Sequence, residues 1–388
     1  MPRSIFFSVG EPSGDQHAAR LIREIHQLAP EIQCRGFGGA DMRAAGCDID
    51  VDLTQEAVVG LLEVLPKLRY FFKVAGQAEQ AFEHQDIDAV VLVDFPGFNW
   101  HIAKRAKRFG IPVYYYCPPQ LWAWGGWRIR KMRRLIDHVL AVLPIEKKYF
   151  GHHGISTTYV GHPFFDAVHQ SPLDQTILNR CEHDLAAGSR LVAVLPGSRN
   201  HEVHQNWPIF LESIRRLHRS NPHVKFLVAS YRDSQMSFCR ESLTLHDRDL
   251  PIEFFIGKTS EIIEGSECAM MVSGSVSLEL MARRTPAVVT YRVGRFLHAV
   301  AKRLVNLESF TLPNLMGDKK VFPETISVGN PQPAIEMIVS AVDRFLNDEA
   351  HLDSVRQELD ILAEQYATPG ASRRAANRLI GELEGDNR

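Results

Sequence analysis

The chain has 388 residues, 45% of them hydrophobic and 23% charged, and a formal net charge of −2. This composition excludes disordered and fibrous classes, and the length exceeds what one hydrophobic core usually organises, so two domains are predicted. A charge this small gives no global attraction to nucleic acid or anionic lipid, and any basic contact must be a local patch. The first apolar run, Ile5 to Val9, ends at Gly10 and is too short for the core of a secretion signal. No uninterrupted apolar stretch reaches about 18 residues, so no membrane-spanning helix is predicted. Cys34, Cys47, Cys117, Cys181, Cys239 and Cys268 are scattered without a C-x-x-C pair. They read as the reduced thiols of a cytoplasmic chain, without disulfide or zinc frameworks.

In chain order, short and nearly continuous apolar runs predict strands at 5–10, 34–39, 89–95, 113–117, 139–143 and 158–161. Runs of this kind suit strands buried on both faces of a parallel sheet. Amphipathic segments such as 16–28 lie between several of them. The second half repeats the pattern at 191–195, 224–229, 252–256, 268–273 and 287–291. The stretch 161–188 has no strand signal, contains Pro163 and Pro172, and is placed as the interdomain linker. Beyond Pro331 the apolar spacing is helical, interrupted by Pro369-Gly370 before a last helix at 372–383. The fold class is α/β, with two doubly wound sheets, each carrying its ligand crevice at the carboxyl ends of its strands.

Several segments carry candidate chemistry. Gly10-Glu11-Pro12-Ser13-Gly14-Asp15 follows the first strand and opens a helix, the place for a polar ligand, or else for a tight turn capped by Ser13 or Asp15. Arg35-Gly36-Phe37-Gly38-Gly39 is a weaker glycine-rich signal. Asp94 ends the apolar run 89–95, where a general base would face the crevice, or where a carboxylate would cap a helix. In the aromatic run from Tyr114 to Trp124 the first half reads as strand core. Trp122 and Trp124 suit either a sugar or acyl site or packing.

In the second half, Leu195-Pro-Gly-Ser-Arg199 ends a strand with an arginine suited to forked bonding with a diphosphate. Ser273-Gly-Ser-Val-Ser-Leu-Glu279 is a small-residue strand-to-helix turn that favours the same ligand. Glu279 is placed to accept ribose hydroxyls. Metal signals are poor. His201-Glu-Val-His204 is not H-E-x-x-H, and Asp48-Ile-Asp50 and Asp86-Ile-Asp88 read as solvated loop charges rather than a metal-binding D-x-D. No cofactor and no metal are expected. The segment 58–73 is densely apolar with interspersed cations, as interfacial helices are, or else it is a core helix. Leu61, Leu62, Leu65, Leu68, Phe71 and Phe72 would supply its apolar surface. Basic clusters at 128–134 and around Arg292, Arg295, Lys302 and Arg303 would add attraction to anionic lipid.

Taken together, these motifs resemble those of the lipid-A-disaccharide synthase family, in the same order and over nearly the whole chain. The matching set is Gly10 to Asp15, Asp94-Phe-Pro-Gly-Phe-Asn99, Trp122-Ala-Trp124, Leu195 to Arg199, Ser273 to Glu279, Tyr291-Arg292 and Leu312-Pro-Asn-Leu315. The sequence departs from the pattern at Gly97, where an acidic residue is common, and at Cys117-Pro-Pro-Gln120. The resemblance implies a GT-B fold of two Rossmann-like domains facing a cleft. Residues 1–164 would bind the acceptor and 165–365 the UDP-sugar donor, with the helices from about 366 to 388 packing back on the first domain. It also implies a peripheral enzyme on the cytoplasmic membrane face, and a homodimer with exchanged C-terminal parts. The implied reaction moves 2,3-diacylglucosamine from UDP to the 6-hydroxyl of 2,3-diacylglucosamine 1-phosphate, inverting to a β-1,6 disaccharide. Asp94 matches the general base, with Glu11 beside it; Ser13, Trp122 and Trp124 fall to the acceptor side. Arg199, Ser198, Gly274, Ser275, Ser277, Glu279, Tyr291 and Asn314 fall to the donor side. The rival readings are a UDP-sugar 2-epimerase and a catalytically silent nucleotide- or lipid-binding protein.

Overall fold

The computed structural model describes residues 3–54, 64–295, 298 and 309–385. Its chain divides into two units, the first made of residues 1–166 and 369–388, the second of 167–368.

In the first unit, β1 (Ser4–Val9), β2 (Gln33–Gly38), β3 (Asp48–Asp52), β4 (Ala89–Val93), β5 (Val113–Tyr116), β6 (His138–Ala141) and β7 (Thr157–Tyr159) form one sheet. All pairs are parallel, in the order β3-β2-β1-β4-β5-β6-β7. The helices are α1 (Pro12–Leu28), α2 (Ala40–Ala44), α3 (Val64–His84), α4 (Pro96–Ala106), α5 (Ile129–Leu135) and α6 (Pro144–His152). The central strands are continuous apolar runs because both faces are covered: every residue of β1, β4, β5 and β6 is buried.

A further helix, α7 (Pro163–Gln170), leads across the boundary between the units. In the second unit, β8 (Arg190–Leu195), β9 (Val224–Ser230), β10 (Ile252–Ile256), β11 (Cys268–Val272), β12 (Ala287–Val293) and β13 (Glu324–Val328) pair in the parallel order β10-β9-β8-β11-β12-β13. Its helices are α8 (Gln175–Ala186), α9 (Asn200–Ser220), α10 (Asp233–Glu241), α11 (Thr259–Glu264), α12 (Val276–Ala282), α13 (Leu312–Gly317), α14 (Gln332–Asn347) and α15 (Glu349–Tyr366). The last helix, α16 (Ala371–Gly385), lies against α1 of the first unit. Asp166 anchors its start by accepting the N–H groups of Gly370 (2.6 Å), Ala371 (3.1 Å) and Ser372 (2.9 Å).

Two strands lack the apolar signature used above, β3 and β13. Both are edge strands, covered less than the centre, and most of their residues are half-buried or exposed. Asp48-Ile-Asp50 therefore lies within β3 rather than in a loop, with Asp50 paired to Arg35 at 2.5 Å. Charges on an edge strand also discourage pairing with another chain.

The segment 58–73 divides in the structure. Leu61 and Leu62 lie outside the described residues, as do the side chains of Leu65 and Leu68 within α3. From Phe71 onward, the stripe Phe71, Val74, Ala75, Ala78 and Phe82 faces the core at helical spacing. Phe71 packs against Phe95 and Phe98, which corrects its reading as a membrane contact: it lines the core. Phe72, one residue on and so about 100° around the helix, is 54% exposed.

Candidate functional site

In the first unit the strand order reverses between β1 and β4, so the loops after these strands flank the crevice expected of such a sheet. The pairing Val9↔Val93 sets Gly10 and Glu11 beside Asp94 and Phe95, and Val93↔Tyr116 sets Cys117 on the other side. Asp94 and Phe95 both have φ of 46°. Left-handed backbone costs a side-chain-bearing residue on the order of 1–2 kcal/mol, so two in succession need strong local support.

That support is visible. Asn99, in α4, donates from Nδ2 to the carbonyls of Asp94 (2.7 Å), Ser8 (3.2 Å) and Val93 (3.3 Å). Ser8 Oγ donates to Asn99 Oδ1 at 2.7 Å, and the Tyr115 hydroxyl donates to the Asp94 carbonyl at 2.8 Å. Ser8, Asn99 and Tyr115 are all fully buried. The Phe95 ring crosses Gly10 so closely that a Cβ there would lie 2.2 Å from it, so residue 10 must be glycine. Gly97, by contrast, faces open space that a side chain would fit.

Burial, and then the negative charge of Glu11, push the Asp94 carboxyl up to about 6, against the Phe95 N–H that favours its charged form. Such a carboxylate is ionised at neutral pH yet basic enough to take a proton. Glu11 is half-buried at the N-cap of α1, where its side chain makes no capping bond. Ser13 is exposed on the first turn. Asp15 does not cap its own helix. Its buried carboxylate reaches across to accept the N–H groups of Gly39 (2.8 Å), Asp41 (2.9 Å) and Met42 (3.3 Å), and so caps α2. The glycine-rich stretch is thereby structural: a Cβ on Gly39 would lie 2.6 Å from Asp15 Oδ2.

Beyond β5, Trp122 is half-buried, while Trp124 and Trp127 are 48% and 66% exposed. The Arg128 guanidinium lies 4.2 Å from the Trp124 ring centre and Lys131 Nζ 5.1 Å from that of Trp100. Burial, followed by the like charges of Arg134, Lys104 and Arg128, holds Lys131 below the usual lysine range. Phe72 meets His101 of α4 edge-on at 5.5 Å. Exposed aromatic and cationic side chains on this side therefore only partly coincide with segment 58–73.

In the second unit the order reverses between β8 and β11, and the pairing Met271↔Leu195 brings the two candidate phosphate turns side by side. Val272↔Thr290 sets Tyr291 next to the Ser273 turn. Glu202 shapes the first turn: its Oε2 accepts the N–H groups of Ser198 and Arg199, each at 3.1 Å. Gln235 Nε2 donates to the Ser198 carbonyl at 2.9 Å, and Asn206 ties the Glu202 carbonyl (2.8 Å) to the Arg292 N–H (3.0 Å). The Arg199 side chain stays 69% exposed, 3.6 Å from Glu202. In the second turn Gly274 and Ser275 are exposed, but Ser277 is buried and its hydroxyl donates to the Gly274 carbonyl at 2.8 Å.

Glu279 is buried, with Oε1 accepting from Arg283 at 2.9 Å. Asn314 uses both ends of its amide on the main chain of Phe322, each at 2.8 Å. Ser277 and Asn314 thus hold the shape of the site; their polar atoms already have protein partners. Burial and then Glu202 raise the Tyr291 hydroxyl above its ordinary range, with Arg199 opposing.

Reading the sequence alone gave no supporting role to Ser8, Asn99 and Tyr115 in the first unit or to Glu202, Asn206 and Gln235 in the second, although Asn99 closes one of the matching motifs. One signal was available: a glutamate three residues after Arg199, at the spacing of a capping box. Among the described residues, no group of three or more His, Cys, Asp or Glu side chains is arranged to hold a metal ion.

Comparison with known proteins identifies the family and the fold. The family model for lipid-A-disaccharide synthetase matches residues 5–366. The lipid-A-disaccharide synthase of Geobacter metallireducens is 32% identical, over 100% of this chain and 98% of its own. That of Anaeromyxobacter dehalogenans is also 32% identical, over 98% and 97%. Among solved structures, the UDP complex of Staphylococcus aureus MnaA superposes with a TM-score of 0.66 at 14% identity, covering 99% and 97% of the two chains. The calicheamicin glycosyltransferase CalG4 gives 0.62 at 14%, covering all of both. At such identities the likeness speaks for the fold, which is GT-B.

Proposed function

Since the chain belongs to the lipid-A-disaccharide synthetase family and is a glycosyltransferase, we propose that it transfers 2,3-diacylglucosamine from its UDP carrier to the 6-hydroxyl of 2,3-diacylglucosamine 1-phosphate. The products are the β-1,6-linked disaccharide 1-phosphate and UDP. The observation that carries the reading is Asp94, a carboxylate pushed up to about 6 at the switch point of the first sheet. The acceptor O6 forms a bond to the anomeric carbon as the bond from that carbon to the diphosphate breaks, with inversion. The O6 proton passes to Asp94, an assistance worth roughly 10²–10⁴-fold.

Negative charge develops on the departing UDP. The exposed Arg199 guanidinium, with Ser198 and the Gly274-Ser275 turn, receives it without a metal ion or cofactor. Tyr291 and Glu279 line the nucleoside side, while Ser277 and Asn314 hold the turn and the loop in shape. Ser13 and Trp122 border the acceptor. The surface of Trp124, Trp127, Phe72, Lys104 and 128–134 supports a peripheral station on the cytoplasmic membrane face, where both acylated substrates reside. No helix among the described residues is long and apolar enough to cross the membrane.

The direct test incubates the enzyme with a mixed pool of UDP-sugars and lipid acceptors and identifies products by mass spectrometry. The expected result is a diacylated disaccharide 1-phosphate, with UDP released only when the acceptor is present. UDP release or C2 inversion of the donor sugar without acceptor would replace this reading with an epimerase.

A further inference from the structure

The two switch points leave their strands differently. In the second unit the chain turns after β8 through Gly197 and after β11 through Ser273 and Gly274, small residues held by side chains of their own unit: Glu202 and Gln235 at the first turn and Ser277 at the second. In the first unit the turn after β4 is built from Asp94 and Phe95, both left-handed. Fully buried groups from β1, β5 and α4 converge to hold it. Two of them, Asn99 Nδ2 (2.7 Å) and Tyr115 Oη (2.8 Å), bind one atom, the Asp94 carbonyl oxygen, and Ser8 fixes the Asn99 amide from the other end at 2.7 Å.

Left-handed geometry swings this carbonyl inward. It also sets the Phe95 N–H against the Asp94 carboxylate, the one hydrogen bond that favours the charged side chain. The direction of the carboxylate is therefore set by what grips the carbonyl behind it.

We propose that Asn99 and Tyr115 are positioning residues for the transfer reaction, holding the Asp94 turn so that its carboxylate stands where the acceptor hydroxyl must lose its proton. This rests on the reading of Asp94 as the base. Neither residue touches substrate; both act through the main chain of Asp94. A displacement of the base by about 1 Å is enough to slow proton transfer by as much as about 10²-fold.

The test uses the full chain. Tyr115→Phe keeps the ring in the core and removes only the hydroxyl. The expected result is a kcat lowered about 10–10²-fold, with KM for the UDP-sugar and UDP affinity within twofold of the parent. The acid limb of the kcat profile should also move to lower pH, because a released carboxylate regains water. The charged and titratable groups facing Asp94 are Glu11, Tyr115 and Cys117, with Arg128 facing Tyr115 and Glu146 facing Cys117. Tyr115→Phe removes none of the charges among them.

Asn99→Ala should act in the same direction and more strongly; if it fails to fold, Tyr115→Phe decides alone. Added to Asp94→Asn, Tyr115→Phe should lower turnover no further, since both act at one step. A Tyr115→Phe enzyme with the parent's kcat and acid limb overturns the proposal, whatever its melting temperature. An active Asp94→Asn enzyme overturns the reading of the base instead.

Discussion

The two units use the same architecture to present opposite charges. Each is a parallel sheet whose strand order reverses near its centre, and each places two loops side by side at that reversal. In the first unit the loops present carboxylates, Glu11 and Asp94, the latter half-buried and pushed up to about 6. In the second they present an exposed guanidinium, Arg199, beside an exposed small-residue turn. The support differs in the same sense. A strained turn that aims a base is held by fully buried side chains from three elements. The turn proposed to admit an anion is held by the Glu202 carboxylate on its N–H groups and by Gln235 on the Ser198 carbonyl. The fold provides the position, and the loop residues decide whether a carboxylate or a guanidinium stands there, which is the basis of the roles proposed for them.

Breaking the acidic side should have the largest effect. Asp94→Asn is expected to lower kcat by roughly 10²–10⁴-fold while UDP binds with near-parent affinity, measured by calorimetry. Comparable turnover would remove Asp94 as base. Breaking the anion side comes next. Arg199→Ala should weaken UDP binding about 10–10²-fold, the scale of a lost charge-assisted hydrogen bond, and leave the acid limb of the rate profile in place. A shifted acid limb in that variant would mean that the two sites do not divide the work as described.

A smaller effect sharpens the acidic pair. The charge of Glu11 raises Asp94, so Glu11→Gln should let the base stay ionised to lower pH. The acid limb, near pH 6 in the parent, should move down by less than about one unit, because burial is the larger cause and remains. An upward shift would contradict the sign.

Stability gives a further check. Asp94 lies above its ordinary value of about 3.9, so the folded state holds the proton more tightly than the unfolded chain, and stability falls as pH rises between that value and about 6. Asp94→Asn should therefore melt a few degrees above the parent at pH 7.5, with the difference gone near pH 3.5, by scanning calorimetry. The smallest expected effect is none: chelators should leave turnover unchanged. Loss of activity in EDTA, restored by a divalent ion, would show that Arg199 and its turn do not suffice for the leaving group.

The sequence by itself determined the architecture and put the candidate motifs at strand ends. The central strands are apolar on both faces because helices cover both, so 89–95 or 268–273 admits little else. Asp94, Leu195 to Arg199 and Ser273 to Glu279 stand at strand ends, which is a statement about chain order. Three things waited for tertiary structure. The edge strands β3 and β13 carry polar residues because their free edges meet solvent, and that is indistinguishable from loop in one dimension. The two phenylalanines at 71 and 72 separate into core and surface only once α3 has a direction. Most of all, the partners of Asp94 come from β5 and α4, and Ser8 of β1 fixes Asn99 from 91 residues away. This network exists only because the sheet order β1-β4-β5 brings Ser8, Asn99 and Tyr115 around the Asp94 turn, and no local pattern encodes that convergence.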